Sequence, residues 1–174
     1  MGIQFETDYN METLTAMAKG LRKTVRKKRS RRVHIFAVVV LILGLLTILA
    51  TTAGGEPLGA SGVVTLLAML VVILVSLFED KLNAWFARKR LLPGTEHAVA
   101  TFEEDGYVSA TGVTESRFSY AQIVAVAETA RYFVFALSSH HTQAYDKRTI
   151  RGGSVEDFRA FIAEKTGKLV EDIK

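Results

Sequence analysis

Val33 to Ala53, VHIFAVVVLILGLLTILATTA, and Leu58 to Phe78, LGASGVVTLLAMLVVILVSLF, are the stretches that decide the fold. Neither contains Asp, Glu, Lys or Arg, and within residues 33–78 only Glu56 carries a formal charge. Twenty-one helical residues span roughly 32 Å, close to the hydrocarbon thickness of about 30 Å. Gly54-Gly55-Glu56-Pro57 between them holds turn formers and leaves no room for a domain, so two spanning helices must return as an antiparallel hairpin. A soluble chain of 174 residues has no core large enough to hide both. The first run is too long, and begins too far along the chain, for a cleaved signal peptide. Gly2 is not followed by a myristoylation pattern, because Glu6 stands where Ser or Thr is needed.

Working outward, the flanks set the orientation. Arg22, Lys23, Arg26, Lys27, Lys28, Arg29, Arg31 and Arg32 precede the first run, Lys81, Arg88, Lys89 and Arg90 follow the second, and the turn has no basic residue. The positive-inside rule predicts a multi-pass protein of the cell membrane with both termini cytoplasmic. The net charge of +4 divides into +6 for residues 1–32, −1 for 33–78, +2 for 79–93 and −3 for 94–174. The basicity therefore lies beside the apolar block. The stretch Arg22–Arg32 reads as a topology signal that also contacts an anionic inner leaflet. It lacks the interleaved aromatics of a nucleic-acid arm, so no nucleic-acid partner is expected.

Neither run has an ionisable residue at mid-depth, and His34 falls at the predicted interface. Transport and proton relay draw on intramembrane charge or broken helices. Gly44, Thr47, Ser61, Gly62, Thr65 and Ser76 are small or polar and read as packing positions of the hairpin.

Four parts follow: an N-terminal strand and basic helix at 1–32, the hairpin at 33–78, a helical extension and linker at 79–93, and a cytoplasmic domain at 94–174. Ile3-Gln4-Phe5-Glu6-Thr7 alternates like a strand and needs a downstream sheet to join. Leu14, Met17, Ala18, Leu21 and Val25 give residues 11–32 a helical apolar face, expected to run into the first span without a break. The second span is expected to continue past Leu82, Trp85 and Phe86 until Pro93-Gly94. Trp85 is a candidate interfacial anchor.

Strands are predicted at 97–103, 107–111, 113–120, 123–128, 132–137 and 142–147, with Asp105-Gly106 as a hairpin turn. Tyr132–Leu137, YFVFAL, is apolar on both faces, as in a strand covered on both sides. Ser154 and Asp157 form a capping-box pattern for a last helix carrying Phe158, Phe161 and Ile162, with Gly167 as its stop. An antiparallel meander capped by one helix is the outline of a pleckstrin-homology-like domain, making the chain an α+β membrane protein.

Candidate chemistry is sparse. With no cysteine, disulfides, thiol nucleophiles and cysteine-based zinc sites are out. His140-His141 are adjacent in a predicted turn and point apart, with no acidic ligand at metal spacing. His97, Glu103-Glu104-Asp105 and Ser138-Ser139 complete no catalytic pattern, and no phosphate-binding glycine motif is present. The sequence therefore predicts no enzyme, no cofactor, no metal and no small-molecule substrate. Glu103-Glu104-Asp105 in the first hairpin would repel a phosphoinositide. Lys147, Arg148 and Arg151 form a weak candidate surface for an acidic partner.

The chain resembles the YcxB-like family of bacterial membrane proteins. The resemblance is carried by Ile3-x-Phe5, the basic helix, the two apolar runs, Phe102-Glu103-Glu104-Asp105-Gly106 and Phe118-Ser119-Tyr120-Ala121-Gln122-Ile123. It continues through Val126-x-Glu128-Thr129, the strand Tyr132–Leu137, Tyr145-Asp146-Lys147-Arg148 and Phe158. It implies an integral membrane protein of the bacterial inner membrane with a cytoplasmic pleckstrin-homology-like domain, and supplies no catalytic residues. The functional expectation is a membrane-anchored module that recruits a protein partner or a second copy of itself. The alternative is a pore-type or protective protein acting through the hairpin, such as an immunity factor against a membrane-directed toxin.

Overall fold

The computed structural model describes residues 2–55 and 57–173; Glu56 of the predicted turn lies outside them. Strand β1 (Ile3–Asp8) leads into α1 (Met11–Lys23), α2 (Lys27–Ala53), α3 (Ala60–Leu77) and α4 (Glu79–Lys89). Then come β2 (His97–Phe102), β3 (Tyr107–Thr111), β4 (Glu115–Phe118), β5 (Ala125–Glu128), β6 (Tyr132–Ala136), β7 (Thr142–Asp146), α5 (Val155–Thr166) and β8 (Val170–Asp172).

Two four-stranded sheets, ordered β1-β2-β3-β4 and β7-β6-β5-β8, enclose the core. The N-terminal strand joins as expected: β1 is antiparallel to β2, with Ile3 opposite Phe102 and Phe5 opposite Ala100. Its alternation puts Ile3, Phe5 and Thr7 inward. Phe5 meets Phe158 at 4.6 Å between ring centroids, and Phe102 meets the same ring at 4.8 Å. Helix α5 thus closes the aromatic core with Phe158 and Ile162. Its capping box is formed, Ser154 and Asp157 each satisfying the other's backbone N–H. Gly167 ends it at φ 63°, a left-handed conformation in which a Cβ would be strained.

Every residue of β6 is buried. Phe133 and Phe135 point into the aromatic core, while Tyr132 and Val134 face a second cluster that includes Ala16 of α1. The two-sided apolar pattern is therefore explained by a helix from before the hairpin. Gly20 permits the close approach, since a Cβ there would stand 2.7 Å from Val134 Cγ1. The meander is split, with β4 and β5 in different sheets, and β8, which was not expected, pairs parallel with β5.

Two expected continuous helices are broken. Residues 24–26 interrupt the first: Thr24 leaves helical geometry, and the Arg26 N–H reaches back to Leu21 O in a turn wider than an α-helix. The joint lets α1 lie on β6 while α2 departs, and Arg26 Nε donates to Ser139 O at 2.7 Å. The second break falls at Phe78, where α4 turns to pack on α1 with Ala84 fully buried. Helix α4 ends at Lys89, before Pro93.

Helices α2 and α3 are long and apolar enough to cross a membrane, and almost nothing in them is buried within the chain. Phe36, Leu43, Val64 and Leu67 are among their exposed side chains. The two helices touch where Gly44 meets Met69, a Cβ at 44 standing 2.8 Å from its sulfur. Thr47 and Thr65 return their hydroxyls to their own helices, donating to Leu43 O and Ser61 O.

Candidate functional site

A groove of about 1020 Å³ opens between α1, the β5–β6 turn, α5 and β8. Met11, Ala16, Tyr132, Val170 and Ile173 supply its apolar lining. Ala16 lies there because its small side chain lets α1 settle on β6. Ile173 lies there because its N–H donates to Glu128 O, continuing the β5–β8 pairing.

Two ion networks border the groove. Glu128, with its side chain 11% exposed, receives Arg159 through two hydrogen bonds of 2.7 Å and Lys147 Nζ at 2.8 Å. The Arg159 guanidinium, followed by the Lys147 ammonium, holds the Glu128 carboxyl below its ordinary pKa against the opposing effect of burial. Arg131 bridges Glu12 of α1 and Asp146 of β7. Arg148 also reaches Asp146, at 2.9 Å. Each member of the candidate surface has a carboxylate partner within the chain: shielded Lys147 pairs with Glu128, while Arg148, on Asp146, and Arg151, on Glu6, keep exposed guanidinium groups.

The basic stretch divides. Lys23, Lys27, Lys28, Arg29, Arg31 and Arg32 are exposed. Arg22 instead makes a forked pair with Asp80 at 2.7 and 2.6 Å, tying α1 to α4. Trp85 is exposed, and Lys89 Nζ lies 3.5 Å from its ring centroid. The histidines are dispersed: His97 pairs with Asp8 at 2.7 Å, His140 meets Arg26 at 2.8 Å, and His141 packs edge-on to Phe118. None shares a cavity with Glu128 or Asp146. Among the described residues, no group of three His, Asp or Glu side chains is placed to hold a metal. The acidic turn Glu103–Asp105 is braced from below by Tyr120, whose hydroxyl donates to Glu103 O and Gly106 O.

Sequence reasoning missed Gln143, whose Oε1 accepts from both Tyr107 and Tyr145 hydroxyls at 2.7 Å inside the aromatic core. It also missed the contribution of α1 to the groove. The signal for the latter was the row of small residues Thr13, Ala16 and Gly20, which forms a second face on α1 beside the bulky one.

Architecture and site define an α+β chain in which a two-sheet domain, completed by segments from both sides of an apolar helix pair, carries a groove bordered by two ion networks. Residues 102–162 match the model of the YcxB-like protein family, so the family resemblance is borne out over that segment. The match runs from Phe102 of β2 to Ile162 of α5; β1, α1 and the apolar helices lie outside it. No curated protein and no solved structure matches the chain.

Proposed function

We propose that the chain is a multi-pass membrane protein, with both termini cytoplasmic, whose pleckstrin-homology-like domain recruits a protein partner at the inner face. The groove carries this reading. It is apolar on its floor, charged at its rim and bounded by β8, the last strand of its sheet, and it suits an extended protein segment better than a reacting small molecule. Two antiparallel-based sheets with a closing C-terminal helix support the pleckstrin-homology-like assignment. The exposed cations at the start of α2, and those around the end of α4, support the orientation.

Membrane integration is tested by alkaline extraction, which should leave the chain in the membrane fraction. The absence of native cysteine makes labelling a clean topology test. A Gly55→Cys variant should react with an impermeant maleimide from outside intact cells, and a Ser116→Cys variant only after permeabilisation. For the partner, a photo-crosslinking amino acid at exposed Ala130, on the groove, should yield a discrete protein adduct in vivo. The same group at exposed Val113, away from the groove, should not. Adducts confined to hairpin positions such as Val64 would move the function into the helices and favour the protective alternative.

A further inference from the structure

A second cavity, of about 620 Å³, lies where the apolar helices meet the domain. The joint between α1 and α2, the end of α4 and the β6–β7 turn converge on it. Arg26 and Arg29 enter from the joint and the first turn of α2, Arg90 from the end of α4, and His140 from the strand turn. Arg26 is held in place: Nε donates to Ser139 O at 2.7 Å, and Nη2 meets His140 Nδ1 at 2.8 Å. Arg29 and Arg90 are exposed, and among the described residues neither pairs with a carboxylate. The one acidic residue of the lining, Glu79, lies towards Arg22 and His34, at 3.9 and 3.8 Å. The start of α2 has no side-chain cap, so its N-terminal dipole adds to the same positive field.

The lining is also apolar in part, with Met17, Phe86 and Val33, the last two one helical turn from Arg90 and Arg29. Val33 is also the first residue of the apolar run. The cavity therefore joins a cluster of guanidinium groups to hydrophobic side chains at the depth where the helices change from charged to apolar. Guanidinium groups match phosphate oxygens through forked hydrogen bonds. Adjacent hydrocarbon at this depth favours a phosphate that carries acyl chains over one in free solution.

We propose that this cleft binds the phosphate of an anionic phospholipid, with Arg26, Arg29 and Arg90 as its ligands. The inference rests on the hairpin lying in a bilayer and is independent of the partner groove. It differs from a diffuse attraction between the basic stretch and the leaflet, because Lys27 and Lys28 line no part of the cleft.

The test is native mass spectrometry of the full chain released from micelles holding equal amounts of phosphatidylglycerol and phosphatidylcholine of one acyl composition. The expected result is one retained phosphatidylglycerol per chain, since the choline cation is repelled by the same arginines. Arg29→Gln with Arg90→Gln should lower the bound fraction about tenfold, on the scale of losing charge-assisted hydrogen bonds. Lys27→Gln with Lys28→Gln, an equal loss of charge outside the cleft, should leave retention unchanged. Equal retention of both lipids, or equal loss in both double variants, would overturn the site. A parallel titration uses inorganic phosphate: an arginine-dependent phosphate adduct without lipid retention would make the cleft a soluble-phosphate site and overturn the lipid assignment. Failure of the membrane premise is read separately, as release of the chain on alkaline extraction.

Discussion

Glu128 receives two cations, Arg159 and Lys147, and its behaviour with pH follows from these partners. Arg159 and Lys147 stabilise its anionic form in the folded chain, so its folded pKa lies below the unfolded value. The stabilisation is present above the ordinary glutamate pKa and is lost as pH falls through the depressed value. Glu128→Gln leaves Lys147, with its side chain 13% exposed, without its carboxylate, at a cost of about 2 kcal/mol near neutral pH. Thermal unfolding of the detergent-solubilised chain should show a lower midpoint at pH 7 and a shrinking difference from wild type towards pH 3. A constant difference across that range would refute the assignment. Gln143 plays a comparable part in the core: its side-chain carbonyl satisfies two buried hydroxyls, and burial first of all pushes the Tyr145 phenol well above its ordinary pKa.

At the scale of elements, the contact between α1 and α4 is the joint between the apolar pair and the two sheets. Arg22 and Asp80 are both largely shielded, at 23% and 17% side-chain exposure, so their forked pair contributes more than a fully exposed one. A double-mutant cycle of Arg22→Gln and Asp80→Asn should return a coupling of about 1 kcal/mol in thermal unfolding. Either variant should also speed proteolysis at residues 24–26. Additive single effects and unchanged proteolysis would show the pair to be incidental. The existence of most elements was legible beforehand, because alternation in β1–β3, two-sided burial in β6 and the Ser154 cap are local properties. The breaks at residues 24–26 and at Phe78 were not. Nothing in those residues forbids a helix; the bends arise because α1 must lie against β6 and α4 against α1 while α2 and α3 leave together. Strand β8 was missed for a related reason: three residues carry no readable period, and their conformation is set by β5.

At the scale of the whole molecule, the sheet-bearing domain is interrupted by the helix pair. Phe5 is fully buried among Phe102, Phe133, Tyr145 and Phe158, and burying such a side chain contributes about 2–3 kcal/mol. A fragment of residues 94–174 lacks β1 and α1, exposing the edge of β2 and one face of β6. It should aggregate or bind a hydrophobic dye, whereas residues 2–23 joined to 94–174 through a flexible linker should give a cooperative thermal transition. A well-dispersed, cooperatively folded 94–174 fragment would contradict this. The N-terminal strand was expected to join the downstream sheet, and its pairing with β2 makes the interruption by the helix pair a feature of the packing.

By itself the sequence determined the apolar pair, the location of positive charge beside it, the strands with clean alternation and the caps of α5. Each depends on hydropathy, charge or hydrogen bonding within a few neighbouring residues. Only the tertiary structure decided that α1 covers β6, that Lys147 is spent on Glu128 while Arg148 and Arg151 stay exposed, and that Arg26, Arg29 and Arg90 share one cleft. Those outcomes depend on contacts between residues far apart in the chain, such as Arg26 with Ser139 and Glu6 with Arg151. A pattern read along the chain reports a side chain's character; which partner consumes its charge or covers its surface is set when distant segments pack.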